Sequence, residues 1–361
     1  RAEHGGGRRG RSTEVAEEGG SIENERETPA GSRELERVGG GGGRWRLPDL
    51  RRDFMHDVIK TGSTVVTVAA ILAAPPVAAG AAAQQDFSQV EIVTTPVSGN
   101  VFMLTGSGGN IGVSAGPDGI LIVDDQFAPL AEKIRKALRE LTRKNRELKY
   151  VLNTHWHGDH TGGNVEFGPE APVIAQANVR KRLATEQHLR GRIIGPTPEE
   201  GLPVITFGDS LSIHFNGEEI RALHFPNGHT DGDAVIFFTN SNVVHMGDDF
   251  FAGRFPFIDL ESGGSVRGLI RAVGLVLEQI PADAKVIPGH GSLSTVDDLR
   301  AFRRMLEETS AIVGRRIAEK QSLEQIKAAG LPEEWAEWGS GFISTDLWLE
   351  TLYRSLSAES R

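Results

Sequence analysis

Three imidazoles and one carboxylate fall within six consecutive residues, His155-Trp156-His157-Gly158-Asp159-His160. That density of donors is metal chemistry. They follow the apolar, strand-like run Tyr150-Val151-Leu152, and on a chain leaving a strand His155 and His157, two apart, converge on one cation. Asp159 and His160 then turn towards a second cation. Gly162 and Gly163 let the backbone bend beneath the site with no Cβ in the way.

Further donors stand beside other strand-like runs. Gly228-His229-Thr230-Asp231-Gly232-Asp233 precedes Ala234–Phe238, and Val286-Ile287-Pro288 leads into Gly289-His290-Gly291. Asn242-Val243-Val244 runs into His245-Met246-Gly247-Asp248-Asp249, in which either Asp248 or Asp249 is the inward carboxylate. Strands that meet at one sheet edge would gather these loops into one pocket. His214, His224 and His245 lie inside strand-like runs away from these positions and are read as structural or supporting.

The order HxHxDH, GHT, GD, GHG resembles the metallo-β-lactamase superfamily over roughly residues 87–310. The resemblance implies an α+β fold, a four-layer αββα sandwich of two mixed sheets with helices outside and a dinuclear cleft along one edge. Carried over position by position, it implies that His155, His157 and His229 hold the first metal, that Asp159, His160 and His290 hold the second, and that Asp248 bridges both. Asp159 would also orient the attacking hydroxide, which makes it the expected catalytic residue.

No cysteine is present, so disulfides and thiolate ligands are excluded, including the lactamase subclass with Cys on its second metal. An all-His/Asp set resembles the three-histidine lactamases and, through Asp248, glyoxalase-II-like hydrolases. Such ligands suit two Zn2+ ions, with iron or manganese as alternatives. Two cations sharing a water bring its pKa to about 7 and supply hydroxide at neutral pH. No Ser or Cys nucleophile is then required.

Residues 1–50 are Gly- and charge-rich and lack a methionine, and are expected to be disordered or a non-native extension. Arg51-Arg52-Asp53-Phe54-Met55 resembles a twin-arginine export motif, followed by an apolar run from Val65 to Ala74 that is too short to span a bilayer. Residues 51–83 are accordingly read as a signal peptide cleaved after Ala83, which places the mature protein in the periplasm or outside the cell with no membrane anchor. A start at Met55 would leave an ordinary secretory signal instead.

The elements that must position the ligands are legible as patterns. Val90–Val93, Val101–Leu104, Ile111–Ser114 and Ile120–Val123 read as an antiparallel meander, and Leu211–Leu223 as two strands turned at Asn216-Gly217. Leu130, Ile134, Leu138 and Leu141 mark a helix, and 177–190 is read as another, followed by a loop over the cleft at 191–203. Thr295 caps a helix with Asp298 three residues on, and Leu299, Phe302, Leu306 and Val313 form its apolar stripe. The catalytic domain is therefore placed at 84–313 and a helical extension at 314–361. Trp335, Trp338 and Trp348 in that extension read as core, with a homodimer face or a substrate lid as the alternative.

Net charge is −10 and falls on the mature domain, because residues 1–54 carry equal numbers of acidic and basic side chains. An acidic surface repels phosphate backbones, so a small molecule rather than nucleic acid is the expected partner. Three positions after Asp248, where a β-lactamase commonly offers a cation to the drug carboxylate, stands Phe251, and the nearest positive charge is Arg254. Phe250, Phe251, Phe255 and Phe257 either line an apolar rim or are buried. The reading is an exported dinuclear zinc hydrolase acting on a β-lactam or lactone. Its rivals are a thioester hydrolase of the glyoxalase-II kind and a mononuclear iron oxygenase resembling persulfide dioxygenases, which would use His155, His229 and Asp248.

Overall fold

A computed structural model describes residues 86–142 and 146–358. The expectations for residues 1–50 and 51–83 lie outside that range. The first half of the fold contains β1 (Val93–Ser98), β2 (Val101–Thr105), β3 (Ile111–Gly116), β4 (Gly119–Val123), α1 (Ala131–Glu140) and β5 (Leu148–Leu152). After these come α2 (Gly158–Thr161), α3 (Asn164–Phe167), β6 (Val173–Gln176), α4 (Ala177–Leu183), β7 (Gln187–Leu189), β8 (Arg192–Ile194) and β9 (Ile205–Phe207). The second half has β10 (Ser210–Phe215), β11 (Glu218–His224), β12 (Ala234–Phe238), β13 (Val243–His245), α5 (Val266–Gln279), β14 (Lys285–Ile287) and β15 (Ser294–Thr295). Three helices close the chain: α6 (Val296–Ala318), α7 (Leu323–Ala329) and α8 (Thr345–Ala358).

The strands form a seven-stranded sheet in the order β1-β2-β3-β4-β5-β6-β9 and a six-stranded sheet in the order β10-β11-β12-β13-β14-β15, with β7 and β8 apart as a hairpin. Strand alternation sorts the side chains into layers. On β4, Leu121 and Val123 face the second sheet, while Ile120 and Ile122 pack against Leu130, Ile134 and Leu138 of the α1 region. On β12, Ala234, Ile236 and Phe238 face the first sheet, whereas Val235 and Phe237 join the core built with α5, α6 and α8. Both faces being covered, β4 and β12 are buried along their whole length. The result is the αββα sandwich, with the C-terminal helices completing its second outer layer.

Parallel pairing decides where the loops go. β4 pairs parallel with β5, and β13 parallel with β14, so in each pair the C-terminal ends open at one edge. Backbone bonds stitch the two edges together there, from Asn110 N–H to Gly289 O at 2.7 Å and from Ala234 N–H to Thr154 O at 2.8 Å.

Several expectations shift. The first strand is Val93–Ser98 rather than 90–93, because Val90 and Ile92 pack onto the outer core instead. Pro96 is tolerated in it because β1 is an edge strand. The helix read over 177–190 stops at Leu183, and 187–194 is the β7–β8 hairpin. The apolar residues past Leu183, which are Leu189, Ile193 and Ile194, no longer have helical spacing. The Asn216-Gly217 turn is present with both φ values positive, at 52° and 81°. The Thr295/Asp298 capping box also forms. α6 runs through position 313 without a break, and Trp335 and Trp348 are buried in the core it shares with α5 and α8. Among the described residues no helix is long and apolar enough to cross a membrane.

Candidate metal centre

Four loops and a short helix deliver the donors. His155 and His157 follow β5, Asp159 and His160 lie on α2, His229 precedes β12, Asp248 follows β13 and His290 follows β14. The structure brings all seven sequence-predicted residues together, in two adjoining groups of ligand atoms that each lie within 4.8 Å of one another: His155, His157, His229 and Asp248, and Asp159, His160 and His290. Asp248 stands between them, its Oδ2 3.5 Å from His229 Nε2 and its Oδ1 3.1 Å from His160 Nε2 and 3.4 Å from His290 Nε2. His290 Nε2 is 3.3 Å from Asp159 Oδ2.

The other nitrogen of each buried imidazole is committed elsewhere, and this sets which lone pair faces inward. His229 Nδ1 donates to Phe257 O at 2.8 Å, and His160 Nδ1 donates to Asp124 Oδ2 at 2.8 Å. His157 Nε2 donates to Asp259 Oδ2 at 3.1 Å. Thr154 Oγ1 donates to Asp124 Oδ2, so it accepts from His155 Nδ1 at 3.0 Å. The nitrogens that face inward are His155 Nε2, His157 Nδ1, His160 Nε2 and His229 Nε2. The inward nitrogens of His157 and His229 converge at 2.8 Å. His155 Nε2 and Asp248 Oδ1 are buried with no hydrogen-bond partner. Buried polar atoms seldom lack one, and lone pairs aimed at a common point fit a cation.

The electrostatics agree. Burial alone would raise Asp248, but the imidazoles of His160, His290, His155 and His229 outweigh it and hold the carboxyl well below its usual range. Asp159 is likewise held at about 2, against its burial, by His160 and His290. Burial opposes protonation of His290, yet Asp248 and Asp159 prevail and raise it to about 9. Burial lowers His155 well below its ordinary value and takes His229 to about 4.

The choice between Asp248 and Asp249 is resolved by direction. Asp249 turns away to accept the His229 backbone N–H at 3.1 Å, and its burial and the nearby Asp233 raise its pKa well above the usual range. His245 supports rather than joins the groups: its Nε2 donates to Asn110 O and its Nδ1 accepts from Gly247 N–H. His224 holds the Asp233 carbonyl. Close approach demands glycine at two points. A Cβ on Gly109 would overlap the His160 ring, and one on Gly289 would overlap Asp248 Oδ1.

Sequence reasoning passed over Asp124, Asp259, Thr154 and Asn110. Asp124 had a signal, since it follows the apolar run of β4 next to the ligand-bearing β5. Asp259 had none, because it lies in an aperiodic stretch 102 residues from its partner His157.

A cleft of about 870 Å3 opens over Asp159, Asp248 and His290. The phenylalanines divide between the two readings. Phe250 is fully buried against Phe302 and forms no rim, in keeping with strand-like alternation after Asp249. Phe251, Phe255 and Phe257 line the cleft, with Phe251 stacked on His290 at 5.0 Å between centroids.

A family model described as the metallo-beta-lactamase superfamily matches residues 94–314. The chain is 29% identical over 222 residues to a hydroxyacylglutathione hydrolase of Gloeobacter violaceus, covering 60% of this chain and 79% of that protein. It is 25% identical over 232 residues to the lactamase-like protein adaB of Aspergillus niger, covering 60% of this chain and 67% of that one. The solved structure of the DIM-1 metallo-beta-lactamase superposes with a TM-score of 0.50 at 19% identity, covering 61% of this chain and 99% of that chain.

Proposed function

Because this chain belongs to the metallo-β-lactamase superfamily, we propose that it is a metal-dependent hydrolase that holds two zinc ions and cleaves an ester- or amide-type carbonyl, lactones and β-lactams included. The observation that carries this reading is the pair of adjoining donor groups, with Asp248 between them and with His155 Nε2 and Asp248 Oδ1 buried without a hydrogen-bond partner. Two divalent cations held there would lower the pKa of bound water to about 7 and polarise the scissile carbonyl.

The protein's own groups do the rest. Asp124, Asp259, Thr154 and the Phe257 carbonyl hold the imidazoles in the required tautomers. The Asp159 side chain reaches the cleft, 31% exposed, where its carboxylate, held ionised, can orient the attacking water. Phe251 and Phe257 form an apolar wall beside the ligands, which keeps bulk water from competing for the polarised carbonyl.

A thioester substrate is the second reading, favoured by the similarity to a hydroxyacylglutathione hydrolase. A mononuclear iron site on His155, His229 and Asp248 would leave the group of Asp159, His160 and His290 without a role. Elemental analysis of the purified protein is expected to find zinc at about two equivalents per chain. A panel of a chromogenic cephalosporin, a lactone and a thioester then assigns the bond cleaved. Iron at about one equivalent, with no hydrolysis of any of the three, would overturn the hydrolase reading.

A further inference from the structure

The β7–β8 hairpin holds no ligand, yet its tip overlooks the metal groups. Its turn residues, Arg190 and Gly191, have φ values of 52° and 76°. Positive φ at both positions is the geometry for which Asn-Gly is preferred, and this chain uses Asn216-Gly217 where only a turn is needed. An arginine there carries a local conformational cost. A residue that breaks the local rule points to a role for its side chain.

The Arg190 guanidinium lies 4.5 Å from the Phe342 ring centroid and 5.8 Å from that of Phe257. Phe257 is in turn 5.7 Å from the His157 ring, so Arg190 stands one aromatic ring away from the candidate ligands. Arg192 and Arg254 line the same cleft, whose only acids among the described residues are Asp159 and Asp248 of the metal groups. Among the described residues none of these three arginines forms an ion pair; Arg254 donates only to Ala252 O. Phe342 and Ile193, each 66% exposed, extend the apolar wall outward. The cleft thus has a metal end, an apolar middle and a cationic mouth.

We propose that the β7–β8 hairpin is a recognition arm and that Arg190 binds a carboxylate on an amphipathic substrate, remote from the bond that is cleaved. The substrate half of this statement rests on the hydrolase reading above; the carboxylate site does not. A guanidinium already stacked on rings loses little freedom when it takes up an anion.

The variant Arg190→Asn removes the guanidinium while supplying a better turn residue, so the hairpin survives the test. Arg190→Lys keeps the charge and Arg190→Glu reverses it. Binding of 4-phenylbutyrate and of its uncharged analogue 4-phenylbutyramide is measured by calorimetry on the purified, metal-loaded protein. Wild type is expected to prefer the carboxylate by about tenfold, the worth of one charge-assisted hydrogen bond at an open mouth. Arg190→Asn should erase that preference, Arg190→Glu invert it and Arg190→Lys retain part of it. Hydrolysis of mono-p-nitrophenyl glutarate against p-nitrophenyl butyrate should show the same order, through KM rather than kcat. A wild-type protein without preference, or a preference that persists in Arg190→Asn because the metals or Arg254 take the anion, would overturn the proposal. Failure to cleave either ester counts against the hydrolase reading alone, and the binding pair still decides the role of Arg190.

Discussion

Four of the candidate donors, His155, His157, His160 and His229, are each held by a second group that never touches the reaction. Asp124 serves two at once, because its Oδ2 accepts from His160 Nδ1 and from the Thr154 hydroxyl that carries His155. Asp159 differs from the other acids in being both a candidate ligand and open to the cleft. Asp159→Asn is nearly isosteric but removes the charge that balances His290 and would orient the attacking water. Its kcat is expected to fall by at least roughly a hundredfold, in line with positioned acid–base groups. Steady-state kinetics beside metal analysis make the check, and an unchanged kcat would remove Asp159 from the catalytic role.

At the level of elements, the centre exists because two parallel strand pairs from different sheets end at the same edge. The Gly289 turn after β14 lies against the Gly247 turn after β13, with Gly289 N–H bonded to Gly247 O at 2.7 Å. A methyl group at Gly289 would meet Asp248 Oδ1 and the Gly247 carbonyl at once, and neither can retreat, since both belong to the same buried turn. Gly289→Ala is therefore expected to push Asp248 off its position and cut kcat/KM by about a hundredfold, as displacements near 1 Å commonly do. Loss of metal from the purified variant would accompany it. A fully loaded, fully active Gly289→Ala protein would mean that Asp248 does not need to stand where it does.

For the whole molecule, stability and localisation are separate questions. Trp348 is fully buried in the core shared by α5, α6 and α8, stacks on Phe255 and donates its indole N–H to Thr309 Oγ1 at 3.1 Å. Trp348→Ala should cost about 3–5 kcal/mol and is read by denaturant unfolding. A loss below about 1 kcal/mol would show that the C-terminal helices contribute little to the fold. Export remains a proposal that rests on Arg51-Arg52 and the short apolar run after them. Lysine keeps the charge but not the planar fork, so Arg51→Lys/Arg52→Lys should trap an uncleaved precursor in the cytoplasm. Fractionation beside wild type decides it. Equal export of the two proteins defeats the twin-arginine reading, and a wild type retained in the cytoplasm defeats export itself.

The donor-rich segments and the buried strands were readable in the sequence because each is written locally, whereas the layered sandwich followed only from the resemblance that the donor order carries. Ligand spacing in His155–His160 is set by the path of one short chain segment, and the buried strands announce themselves as unbroken apolar runs such as Ile120–Val123 and Ala234–Phe238. Other features waited for the tertiary structure because they depend on how separate segments stack. Asp248 and Asp249 are chemically identical neighbours, and only the position of the His229 backbone tells which one turns inward. Phe250 and Phe251 are separated into core and cleft by a single strand-like step. Asp259 reaches His157 across 102 residues and His160 reaches Asp124 across 36, contacts that no local period encodes. The β7–β8 hairpin escaped notice because its three-residue strands are too short to show alternation, and its turn uses Arg-Gly where a turn signal would be Asn-Gly. Local order thus determined where the candidate donors stand in the chain, and the stacking of two sheets decided how each of them is aimed.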